Sequence, residues 1–197
     1  LGLGQVYLRL GRAGLALRYA HAARAVDPTD PRGAALEIQA LCRARRFELA
    51  VTVAEDAMAT FATKPGVELT AAYASALFRV QRIEPAARAY RDVLKLDPGH
   101  AEAHLRLGSG LHAPVRLELK NDEALRRGVA AFQRSDLDGA IKIYRERLRT
   151  RADHPVAHRL LGEALLLREA QASVALRAPA FQRLADELVV PTVDRGL

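Results

Sequence analysis

A single cysteine, Cys42, leaves the chain unable to form an internal disulfide, so nothing in it calls for an oxidising compartment. No apolar run approaches the roughly eighteen residues that a membrane-spanning helix needs, and no basic-then-apolar leader opens the chain. Tryptophan is absent and aromatics make up only 5% of the residues, so a core must be filled by small and aliphatic side chains. β-branched residues are scattered and seldom alternate with polar ones, which leaves little basis for strands. Nor is there a long run of one charge. The formal +7 divides into fifteen Lys+Arg against eleven Asp+Glu over residues 1–113, and fifteen against twelve over 114–197. Electrostatic nucleic-acid binders concentrate their charge on one stripe, and this chain spreads it.

Alanine, leucine and arginine dominate, and all three favour helix. A phrase recurs, as RYAHAARAVDPTDP at 18–31, AYRDVLKLDPGHAEAH at 89–104 and IYRERLRTRADHPVAH at 143–158. Each is a helical stretch ending in a Pro-marked turn that runs into another periodic stretch. Aligning Pro28 with Pro98 aligns Ala16 with Ala86. A fixed period implies stacked supersecondary units, and the length allows about five to six units of roughly 34 residues.

The first unit has Leu3-Gly4 and Tyr7 in one helix, Gly11 at the turn, Ala16, Ala20 and Ala23 in a second helix, and Pro28 at the close. Small residues at positions 4 and 16 let two backbones approach, and Gly11 suits a helix C-cap. The third unit, 67–100, repeats the scheme with Tyr73-Ala74, Leu77, Ala86, Tyr90 and Pro98. The fifth, about 121–155, has Ala124, Gly128, Ala131, Ala140, Tyr144 and Pro155. The second unit, about 31–66, keeps the phase less strictly. The fourth opens with His104, Leu107-Gly108 and Leu111 and is then interrupted by Pro114. The sixth opens with His158 and Leu161-Gly162, and carries Pro179 where its second helix belongs.

This pattern resembles the tetratricopeptide repeat. The related helical family that reads RNA lacks the terminal Asp-Pro and the Gly/Ala pairing. The resemblance implies an all-α fold, a right-handed superhelix of antiparallel helix–turn–helix units, working as a non-catalytic scaffold that binds a protein or peptide in its concave groove. The alternatives are a docking arm of a larger enzyme, such as a transferase with its catalytic domain elsewhere, and an RNA-binding repeat. The expected organisation is an array over 1–113 and its continuation over 114–197, with a break near 111–121, either as one superhelix with an irregular joint or as two hinged sub-arrays. Leu1 falls partway into a unit, so the chain reads as a piece of a longer protein, with the cytoplasm as its expected compartment.

Candidate chemistry is sparse. His100/His104 and His154/His158 have the i, i+4 spacing of a metal pair, but each pair repeats the same turn-and-helix slots, which packing alone explains. Arg43, Arg45 and Arg46 near Cys42 could activate its thiol, against a space-filling role. Asp136-Leu137-Asp138-Gly139 is a fragment of a calcium loop without its remaining ligands. No cofactor motif occurs. The resemblance places the concave wall on outward-facing positions of each unit's first helix. One such position carries Arg9, Arg43 and Arg79, and an earlier one carries Gln5, Gln39, Ser75 and Ser109. An acidic peptide or surface would suit that row, because guanidinium groups fork onto carboxylates. The same arginines could instead serve as helix-end cations. The chaperone-binding subgroup's carboxylate clamp is not matched, because Leu1, Gln5 and Leu36 stand in its slots.

Overall fold

A computed structural model describes residues 1–110 and 122–188, with side chains at 1–109 and 122–174. Ten helices and no strand occur among the described residues. They are α1 Gly2–Arg9, α2 Ala13–Val26, α3 Pro31–Arg43, α4 Phe47–Thr60, α5 Gly66–Arg79, α6 Ile83–Leu96, α7 Ala101–Gly110, α8 Glu123–Gln133, α9 Leu137–Thr150 and α10 Pro155–Leu188. The all-α, antiparallel helix-pair architecture read from the sequence is the one the chain adopts. The interruption at 111–121, with Pro114, lies outside the described residues. None of the described helices is long and apolar enough to cross a membrane.

Local chemistry sets the helix boundaries. Asp30 starts α3 by accepting the Arg32 N–H at 2.9 Å, with Pro31 in the first helical position. Asp122 and Asp136 cap α8 and α9 through the N–H groups of Leu125 and Gly139. The calcium-like fragment at 136–139 is therefore a helix start. Four helices end in one geometry. The residue after the C-cap is left-handed, at Gly11 (φ 71°), Arg45 (60°), Gln81 (61°) and Ser135 (64°). The next N–H then reaches back to Tyr7, Leu41, Leu77 and Ala131 respectively, which closes a Schellman motif each time. Only the first of these turns has glycine.

The last helix departs from the pattern. Helix α10 continues to Leu188 through Pro179, without the turn and second helix that a sixth unit would have. No glycine or proline punctuates 163–178, so the sequence supplies no stop in that stretch.

Helix α3 lies against both α1 and α5, so the first helices of three successive units are neighbours, while α2, α4 and α6 hardly touch one another. An array packed more closely on one side curves toward that side, so α1, α3 and α5 line its inner face. Alanines make the close packing possible. Ala16, Ala20, Ala34, Ala50, Ala54, Ala74 and Ala76 have no exposed surface, and the largest fully buried side chains include Tyr90 and Tyr144. One core joins α1, α2 and α3 around Leu8 and Leu36. A second runs from α3 to α7, and a third joins α8, α9 and α10 to Ala101 of α7.

Replacing Arg45, Gln81 or Ser135 by glycine removes the cost of a left-handed β-carbon at the price of a floppier unfolded chain. Each change should stabilise the protein by about 0.5–1 kcal/mol, read as a higher urea midpoint with an unchanged slope.

Candidate partner-binding surface and the inter-array seam

Arg9, Arg43 and Arg79 each occupy the last turn of an inner helix, α1, α3 and α5. All three are exposed, as are Gln5 and Gln39, while Ser75 is half-buried. Their position suits a helix-end cation as well as a groove residue. Several other arginines are engaged by carboxylates. Arg32 pairs with Asp30, Arg82 with Glu55, Arg91 with Asp153, Arg106 with Glu102 and Arg159 with Glu163. Arg24 and His21 both engage the buried Glu37 carboxylate. Among the described residues, Arg9, Arg43 and Arg79 have no carboxylate partner.

The second and third rungs adjoin. Burial pushes the Cys42 thiol above its ordinary range, and Arg79 is the cation that opposes this. Of the two readings of Cys42, its surroundings match the space-filling one and not activation by Arg43, Arg45 and Arg46; it packs as a partly buried neighbour of the core. Ser75 turns toward Tyr90, whose phenol is raised mainly by burial. The Ser75 hydroxyl lies near enough to oppose that rise, yet outside hydrogen-bonding geometry.

The fourth position is built differently. Ser109 is exposed on α7, and its hydroxyl donates to the carbonyls of Leu105 (2.9 Å) and Arg106 (3.3 Å). Helix α7 packs against α6 and, most extensively, against α10, and hardly against α5. Its link to α5 is Arg106, whose guanidinium stacks 4.9 Å above the Phe78 ring.

The contact between α7 and α10 is one the sequence reading did not anticipate. It relates residues 54 apart, as in His104 with His158. A β-carbon on Gly162 would stand 2.7 Å from the Leu105 backbone nitrogen and 3.0 Å from the Ala101 carbonyl oxygen. One on Gly108 would strike the backbone of Arg159, the residue 54 positions beyond Leu105. The two helices therefore cross backbone to backbone about a local two-fold. His100 accepts the Ala103 N–H at 3.2 Å, and His154 accepts the Ala157 N–H at 3.4 Å, so both begin their helices. His154 also faces Asp122 at 3.5 Å, and Arg147 bonds the same carboxylate. Desolvation raises the Asp122 pKa, but Arg147, the Leu125 N–H and His154 together hold it below the ordinary range. Among the described residues, no group of three or more His, Cys, Asp or Glu side chains could hold a metal ion. The shared slots of the two histidine pairs were the sequence signal for this seam.

Residues 67–109 match the family model described as Tetratricopeptide repeat. No curated protein matches the chain. Solved structures with a likeness include MamA residues 41 to the end from Desulfovibrio magneticus RS-1, at 17% identity over 96% of this chain and 94% of that one, with a TM-score of 0.47. A tetratricopeptide repeat protein from Parabacteroides merdae ATCC 43184 has 17% identity over 88% of this chain and 74% of that one, with a TM-score of 0.43. Scores at this level do not establish a common overall shape.

Alanine at Gly108 or Gly162 puts a methyl against backbone that cannot turn aside. Either change should cost about 1–3 kcal/mol in denaturant unfolding, whereas alanine at Gly14, which has open space around it, should cost nothing comparable.

Proposed function

We propose that this tetratricopeptide-repeat chain is a non-catalytic scaffold in which residues 1–113 form a partner-binding array and residues 114–197 a second array joined to it. The partner is an extended acidic segment of another protein, laid across α1, α3 and α5. The observation that supports this reading is the row of exposed arginines at equivalent helix ends of α1, α3 and α5, none with a carboxylate partner among the described residues. Repeated like charges along a concave wall focus potential there. Gln5 and Gln39 stand one turn earlier on the same helices and would bond the partner's backbone, with Ser75, turned toward Tyr90, and Ser109 at the margin. The lone cysteine suits a reducing compartment, and the cytoplasm is the one we propose.

Spacing narrows the partner further. Packed helices lie about 8–10 Å apart, and an extended chain advances about 3.3 Å per residue. Carboxylates at every third residue would therefore meet successive rungs. Exposed ion pairs contribute only about 0.2–1 kcal/mol each, so three such pairs give selectivity and salt dependence more than tight binding.

A synthetic peptide with acidic residues at i, i+3 and i+6 tests the idea by fluorescence anisotropy. It should bind several-fold more tightly than a peptide of identical composition with the acids adjacent, and the difference should shrink as salt rises. The Arg9→Gln, Arg43→Gln, Arg79→Gln triple variant should keep its helicity and melting temperature and lose the preference. A variant that binds both peptides as the parent does would refute the groove assignment.

A further inference from the structure

His104 and His158 meet at the centre of the seam, both almost wholly buried, with their Nδ1 atoms 2.9 Å apart. Each ring's other nitrogen faces a backbone carbonyl. The His104 Nε2 is 3.1 Å from the Pro98 oxygen, and the His158 Nε2 is 2.7 Å from the Ala152 oxygen. A carbonyl only accepts, so both Nε2 atoms must carry hydrogen to make these bonds. The Nδ1–Nδ1 contact needs a third hydrogen. Two neutral imidazoles own two N–H groups between them. A neutral pair therefore either opposes two lone pairs at the centre or turns one ring nitrogen's lone pair onto a carbonyl. Two imidazolium rings own four N–H groups and would set N–H against N–H. Only the singly protonated pair has three, the number the geometry calls for.

We infer that His104 and His158 together form a binding site for one proton, held between their Nδ1 atoms and joining the two helix arrays. The bound proton completes a chain of hydrogen bonds from the Pro98 carbonyl through both rings to the Ala152 carbonyl. That chain ties the turn before α7 to the turn before α10.

The charges around the pair limit it to one proton. Burial depresses His104 to about 4 and depresses His158 as well, and the two carbonyls oppose this. Arg145, His100 and the partner ring also act against protonation of His104. Arg91 and His154 act against that of His158, and Asp153 favours it. Asp153 is shared with Arg91 at 3.1 Å, so its help is partial. These terms act on both steps, but only the first proton gains the central hydrogen bond. The two steps belong to the pair and not to either residue.

The linkage has a definite sign. In the unfolded chain both rings protonate near 6.5, whereas the folded pair accepts one proton. Both folded values are depressed below that, so stability falls as pH falls through this range, with a two-proton slope while the folded site is empty and a one-proton slope once it is filled.

Long-range 1H–15N spectra of the 15N-labelled protein count the protons directly. Once the pH is lowered far enough to fill the site, near the depressed value of about 4, the two rings should show three N–H groups, with both Nε2 atoms protonated and a 15N–15N coupling across the shared Nδ1 proton. Two N–H groups at that pH, or four, would overturn the assignment. In His104→Gln, the one-proton step should vanish or move by more than one pH unit at His158. His158 titrating unchanged in that variant would also overturn the inference. Should the variant fail to fold, the parent spectra decide alone.

Discussion

The backbone crossing of α7 and α10 at Gly108 and Gly162 is the constraint on which the rest of the molecule turns. With no β-carbon on either residue, each helix can seat its own backbone against its partner's. That distance brings the His104 and His158 rings together and buries them, and it lets α7 serve two cores. Ala103 and Leu107 of α7 join the core of the first array, while Ala101 joins that of the second. A crossing a few tenths of an ångström wider would loosen all three relations at once, because close-packed interiors have little slack to absorb the change.

Charge is distributed across the two arrays in a way that packing does not require. The inner helices of the first array end in arginines that find no carboxylate among the described residues. The corresponding positions on α8, 54 residues beyond Ser75 and Arg79, hold Val129 and Gln133. The cationic row is thus confined to one array, although both arrays share the helix-pair scheme. Helix-end electrostatics would favour a cation in each unit equally. Cations also occupy the last turns of α2, α6 and α9, as the helix dipole favours.

Much of the fold was legible because its determinants are local. Small residues at close approaches, Gly11 at a left-handed turn and the turn prolines mark helix starts and stops without reference to distant chain. Left-handed turns at Arg45, Gln81 and Ser135 were hidden, because three ordinary residues adopt a conformation that the surrounding Schellman bonds impose. The course of α10 through Pro179 was likewise missed. For the candidate surface, the sequence supplied the register of Arg9, Arg43 and Arg79 but not the absence of carboxylates beside them, which depends on how neighbouring helices rotate. The seam was missed for a deeper reason. Histidines at 104 and 158 read as equivalent members of two units, and nothing in a linear period says that equivalent faces will turn toward each other. Local two-fold symmetry is a relation between positions, and the sequence shows only that the positions are alike.

Arrays of repeats usually gain stability from nearest neighbours alone, so they can zip from any point along the chain. The contact of α7 with α10 breaks that rule at one place, by pairing segments 54 residues apart. Closing a loop of that length carries an entropic cost that no pair of adjacent helices incurs. Helices α1 to α7 can assemble by local steps, as can α8 to α10, whereas joining the two is the step that raises the contact order most. What joins the two halves of the chain is therefore also a contact that closes a long loop.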